Sequence, residues 1–66
     1  MTIYLNNEPI KLEKSIFLSD FLKQKNISTQ GIAIAIDQTI IPRAKWEETL
    51  LMPDQKILII HAVTGG

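Results

Sequence analysis

Hydrophobic and polar positions change period several times along the chain, and each change marks an element. Thr2-Ile3-Tyr4-Leu5 is short, β-branched and aromatic, and Asn6-Asn7 follows it. Asparagine tolerates the left-handed backbone of tight turns, so this run predicts a strand entering a hairpin. Pro9-Ile10-Lys11-Leu12-Glu13 alternates apolar and charged residues, the period-two pattern of a half-buried return strand. Pro9 suits its start, where no ladder donor is required. From Leu18 the period lengthens. Leu18, Phe21 and Leu22 stand at i, i+3 and i+4, with Ser19, Asp20, Lys23 and Gln24 on the other side. This predicts an amphipathic helix of two to three turns. Asp20 near its start and Lys23 and Lys25 near its end suit the helix dipole. Ser15 is the nearest capping side chain, and Asn26 can end the helix in a left-handed conformation with Ile27 folding back on the last turn. So short a helix is marginal alone in water and must lie on a sheet.

Beyond Gly31, Ile32-Ala33-Ile34-Ala35-Ile36 alternates large and small apolar residues, which predicts a central strand or one covered on one face and shielded on the other. Asp37-Gln38-Thr39 reads as a turn, and Ile40-Ile41 as a short strand stopped by Pro42. Trp46, Leu50 and Leu51 are spaced by four and five, consistent with a helical turn or two that tuck Trp46 against the core. Met52-Pro53-Asp54-Gln55 is a turn. Ile57-Leu58-Ile59-Ile60 is the strongest strand signal, a continuous apolar run of the kind found in central strands. The order strand, strand, helix, strand, strand, irregular turn, strand predicts a two-layer α+β roll. In it a mixed sheet of about five strands carries one helix across one face. The first and last strands are expected to be parallel neighbours at the centre.

Composition narrows the chemistry. The 66 residues suffice for one domain near the lower size limit for an unstapled core, and 45% hydrophobic content, with 12 isoleucines, supplies that core. The absence of cysteine excludes a disulfide framework, a zinc knuckle and a thiol nucleophile. A single histidine, His61, cannot build a metal site alone. Seven basic and seven acidic side chains leave no electrostatic footprint for nucleic acid. No apolar run approaches the ~20 residues of a membrane span, and Met1-Thr2-Ile3-Tyr4 lacks the basic n-region of a signal peptide. The expectation is a small soluble intracellular domain that binds neither nucleic acid nor membrane. Catalytic constellations are missing: Glu47 and Glu48 are adjacent and diverge on a helix as a solvated face, and Trp46 has no basic stripe around it.

The feature with chemical potential is Gly65-Gly66 at the end of the sequence. It can be read as a frayed end. It can also be read as a reagent. Without Cβ atoms, a Gly-Gly tail can extend into a narrow channel of another protein. An α-carboxyl group ionises at pH ~3.5, so at neutral pH it is an anion able to attack a nucleotide α-phosphate.

The hairpin, the Leu18–Leu22 helix, Ile40-Ile41-Pro42-Arg43 followed by Trp46, and terminal Val63-Thr64-Gly65-Gly66 together resemble the ThiS family. These are the sulfur carrier proteins of thiamine biosynthesis, with a ubiquitin-like β-grasp fold. The resemblance covers the whole chain, 1–66, as a single carrier domain with a flexible C-terminal tail. Gly-Gly is shared by all ubiquitin-like carriers; the Ile-Ile-Pro-Arg-x-x-Trp run is what favours this family. Gly31 ahead of the Ile-rich strand, with Asp37-Gln38-Thr39 as its turn, departs from the pattern only locally.

The resemblance implies that an E1-like adenylyltransferase, ThiF, adenylates the carboxylate of Gly66 with ATP. Sulfur from a persulfide-bearing donor enzyme then replaces AMP to leave a thiocarboxylate, which thiazole synthase, ThiG, consumes. The chain itself would bind no cofactor and catalyse nothing. Thr64 and Gly65 would thread the partner's channel with Gly66, and Leu58, Ile60 and Val63 are the candidate docking residues, with ordinary sheet core as the competing reading of those three. The compartment implied is cytoplasm or plastid stroma. Two other readings stay open. One is the small subunit of molybdopterin synthase, whose Pro-rich approach to the glycines is missing from His61-Ala62-Val63-Thr64. The other is a ubiquitin-like interaction module whose glycines are incidental.

Overall fold

A computed structural model describes residues 1–61. Strands β1 (Thr2–Leu5) and β2 (Glu8–Lys11) form an antiparallel hairpin. Its turn residues Asn6 and Asn7 take φ of 46° and 72°, the left-handed pair that matches the twist of the flanking strands. Pro9 is the second residue of β2, opposite Tyr4, and β2 is an edge strand, so its missing N–H costs no interior ladder bond.

Helix α1 (Leu18–Gln24) buries Leu18, Phe21 and Leu22, as their spacing predicts. Its end is a Schellman motif: Asn26, at φ 55°, donates to Lys23 O at 3.1 Å, and Ile27 donates to Leu22 O at 3.0 Å. The start departs from expectation. Phe17, not Ser15, is the N-cap and makes no side-chain cap, while Ser15 Oγ lies 3.4 Å from Met1 Sδ. The first turn is instead tied to the chain beyond it. Leu18 N donates to Thr49 O at 2.7 Å and Leu51 N to Ile16 O at 2.9 Å, with Phe17 and Leu50 forming an antiparallel bridge between them. A backbone clasp thus takes the place of the side-chain cap.

Gly31, at φ 67°, leads into β3 (Ile32–Ile36), which turns through Asp37 (φ 48°) and Gln38 (φ 71°) into β4 (Thr39–Ile41). Thr39 belongs to that strand, opposite Ile36, rather than to the turn. After Pro42 a 3₁₀ segment, Arg43–Glu48, carries Trp46 into the core at 5% exposure. The segment ends two residues before Leu50, which is exposed in the clasp, whereas Leu51 is fully buried. The four- and five-residue spacing therefore does not mark one helical face.

Strand β5 (Lys56–His61) completes a sheet of order β2-β1-β5-β3-β4, with β1 and β5 parallel and the other pairs antiparallel. The last strand is therefore central, beside the first, as the connection through α1 predicts. One face carries α1 and the core, in which Ile3, Leu18, Phe21, Leu22, Ile34, Leu51 and Ile57 are essentially inaccessible. This is the β-grasp arrangement.

Candidate functional site

The face of the sheet away from α1 is set by the two-residue period of its strands. In β5, Ile57 and Ile59 turn toward the core; Leu58 and Ile60 turn the other way and are 48% and 41% exposed. The continuous apolar run is therefore covered on one side only. Register shows what surrounds the exposed pair. Leu58 is opposite Ala35, and Ala35 is opposite Ile40, so Ile40, Ala35 and Leu58 form one row; Ala33 and Ile60 form the next. Ala35 is buried beneath its larger neighbours, and Ile40 is 58% exposed. The result is an open apolar patch with small residues at its centre and large ones at its sides. Sequence reading singled out Leu58 and Ile60 and missed Ile40 with the two alanines. The signal for them was the Ile-Ala alternation, in which the small residues mark the face that no helix covers.

Beside the patch is a shallow groove of about 420 Å³, floored by Ala35 and Leu58 and walled by the turns at Asn6-Asn7 and Asp37-Gln38. Both turns grip β5 through side chains. Asp37 Oδ1 accepts from Lys56 N at 3.0 Å, and Asn6 Oδ1 accepts from Ile59 N at 2.8 Å across 53 positions of sequence. At the end of the sheet where β5 finishes, His61 is exposed opposite Ile32. Near Ile32, Arg43 donates from Nη2 to Thr29 O at 2.6 Å and lies 4.5 Å over the ring of Trp46, whose Nε1 donates to Ile41 O at 3.0 Å. Arg43 and Trp46 of the sequence run thus have structural roles, holding the loop ahead of β3 and plugging the core. Val63, Thr64, Gly65 and Gly66 lie outside the described residues.

Among the described residues, no three His, Asp or Glu side chains converge as metal ligands, and no helix is long and apolar enough to cross a membrane. The chemistry of this face is that of a surface: apolar area beside the strand that leads into the last five residues.

The model of the family described as ThiS matches residues 2–66. The chain belongs to the ThiS family. Over its full 66 residues it is 27% identical to the sulfur carrier protein ThiS of Escherichia coli (strain K12), and it covers all of that protein. It is also 26% identical, again over all 66 residues, to part of a thiazole synthase of Magnetococcus marinus, of which it spans only 20%. In three dimensions it superimposes on the crystal structure of thiamine biosynthesis protein ThiS from Geobacter metallireducens with a TM-score of 0.88, at 13% identity and full coverage of both chains. That likeness establishes the β-grasp fold, and the family match runs through the Pro42-Arg43-Trp46 segment to the terminal glycines.

Proposed function

We propose that this ThiS-family chain carries sulfur on its C-terminal glycine for construction of the thiazole of thiamine. The carboxylate of Gly66 attacks the α-phosphate of ATP on an E1-like adenylyltransferase, releasing pyrophosphate and leaving an acyl adenylate. The terminal sulfur of a donor enzyme's persulfide then attacks the acyl carbon and AMP leaves. A thiol cleaves the resulting acyl persulfide, so that the donor retains a disulfide and Gly66 retains a thiocarboxylate. Thiazole synthase takes that sulfur. The chain has no cysteine and cannot hold sulfur as its own persulfide, so the terminal acyl group is the attachment point.

The observation that carries this reading is the end-to-end match to a curated sulfur carrier of equal length, terminal glycines included. The second match supports the choice of acceptor, since a segment like this whole chain occupies a fifth of a protein named thiazole synthase. Covalent linkage of carrier and acceptor would raise their effective concentration. On this reading the apolar patch at Leu58 and Ile60, continued by Val63, docks on the partners, while Thr64 and Gly65 thread their channels and the two glycines bring no side chain to the reacting end.

The test is direct. Purified chain is incubated with a ThiF-type adenylyltransferase, ATP and a persulfide donor, and its intact mass is followed. The expected result is the gain of one oxygen-to-sulfur exchange located at Gly66. An unchanged mass with an adenylyltransferase that thiolates its own carrier would refute the reading. A gain only with the activating enzyme of molybdopterin synthase would move the chain to that system.

A further inference from the structure

Strand β5 is paired unequally along its two edges. Toward β3 the register runs without a break from Ile57–Ile36 to His61–Ile32, and Asp37 N donates to Lys56 O at 2.9 Å. With Asp37 and Lys56 as a hydrogen-bonded pair, the alternation of an antiparallel ladder turns the N–H and C=O of Leu58 and Ile60 toward β3. Those of Ile57, Ile59 and His61 face the opposite edge. There β1 supplies only Tyr4 and Leu5 as ladder partners before the chain turns away through Asn6-Asn7. Asn6 closes that short ladder: its N–H donates to Ile57 O at 2.9 Å, and its Oδ1 accepts from Ile59 N at 2.8 Å. Past Asn6, the carbonyl of Ile59 and the N–H and C=O of His61 face outward. Among the described residues no group is hydrogen-bonded to them. An unpaired strand edge of this kind is a template for one more strand.

Its position decides what can use it. Gly66 is the fifth residue after His61. Fully extended, at no more than about 3.6 Å per residue, the chain carries the Gly66 Cα no farther than about 18 Å from that of His61. An enzyme that reacts with the Gly66 carboxyl carbon must therefore come within about that distance of the end of β5, where the open edge and the exposed Ile60 lie together. We propose that the outer edge of β5 from Ile59 to His61 receives an extended segment of thiazole synthase as an added strand. In this complex, main-chain hydrogen bonds fix the direction in which the tail leaves the domain, and the Ile60 side chain packs beside the added strand. The inference rests on the carrier reading of Gly66 and names how its acceptor grips the chain.

Proline at position 61 tests it. The His61 N–H faces away from β3, so His61→Pro removes no bond of the β3–β5 ladder while deleting the donor offered to the partner. His61→Ala removes the side chain and keeps the donor. Titration calorimetry with thiazole synthase from the same organism is expected to show His61→Ala within about threefold of the parent and His61→Pro weaker by about tenfold or more. Thermal melts of both variants check that the fold is kept. Equal affinity of the two variants overturns the proposal. Should His61→Pro fail to fold, hydrogen exchange on the unsubstituted complex gives the answer: the His61 amide is expected to slow at least tenfold on binding, and an unchanged rate overturns the edge. If the chain becomes thiocarboxylated but both variants bind alike, only the edge falls. If thiolation also fails, the carrier reading falls with it.

Discussion

Trp46 gives the sharpest test of how this small core is built. It lies on a six-residue 3₁₀ segment, is 5% exposed, and anchors that segment by donating from Nε1 to Ile41 O at 3.0 Å. Replacing it with alanine removes one of the largest buried side chains, and substitutions of this type cost about 3–5 kcal/mol. The guanidinium of Arg43, an exposed residue, lies over the ring and adds about 0.5–1 kcal/mol. At roughly 0.05–0.15 kcal/mol per residue, a domain of this length has only about 3–10 kcal/mol in total. Trp46→Ala should therefore consume much or all of the stability and lower Tm by at least about 12 °C, at about 4–8 °C per kcal/mol for a domain this small. Trp46→Phe keeps most of the apolar volume and loses the bond to Ile41 O, for an expected cost of about 1–2 kcal/mol. Urea unfolding of all three proteins at low temperature, followed by circular dichroism, measures both differences. A Trp46→Ala variant within about 1 kcal/mol of the parent would show that the 3₁₀ segment does not close the core.

Other outcomes follow from the same geometry. Leu58→Arg and Ile60→Arg place charge on the open face and should change stability by no more than about 0.5 kcal/mol; under the docking reading both should weaken partner binding at least tenfold in a pull-down titration. Asn6→Gly retains the left-handed turn but removes the acceptor for Ile59 N, costing about 1 kcal/mol. Asn6→Ala adds the strain of a positive φ, about 1–2 kcal/mol more, so chemical denaturation should rank the two in that order. Gly31→Ala meets no atom within 4 Å, so its cost is backbone strain alone, again about 1–2 kcal/mol in a thermal melt. Gly65→Ala should keep the parent's Tm and slow adenylation of Gly66 in a pyrophosphate-release assay; an unchanged rate contradicts channel threading.

Much of the fold was legible along the chain because its punctuation is local. Asn6-Asn7, Asn26, Gly31 and Asp37 all sit at positive φ, and residues that tolerate that conformation mark where elements must end. The Leu18-Phe21-Leu22 spacing identified the helix for the same reason, since the buried face of a helix repeats within a few residues. Where reading failed, distant backbone decided. Ser15 looked like a cap, but the helix start is held by Thr49 O, more than thirty positions away. The spacing of Trp46, Leu50 and Leu51 suggested one helical stretch, but Leu50 pairs with Phe17 across the clasp and is exposed.

The candidate site divides along the same line. By itself the sequence determined the local elements, the absence of any cysteine to carry sulfur, and the terminal glycines, because these depend on residue identity and short spacing. Only the tertiary structure decided which side of Ile57-Leu58-Ile59-Ile60 is exposed. Both sides are apolar, so no pattern in the strand distinguishes them; among the described residues, α1 and the 3₁₀ segment with Trp46 cover one face of the sheet and leave the other open. The free edge of β5 likewise exists because β1 turns away at Asn6, a consequence of pairing between the two ends of the chain that no local pattern records.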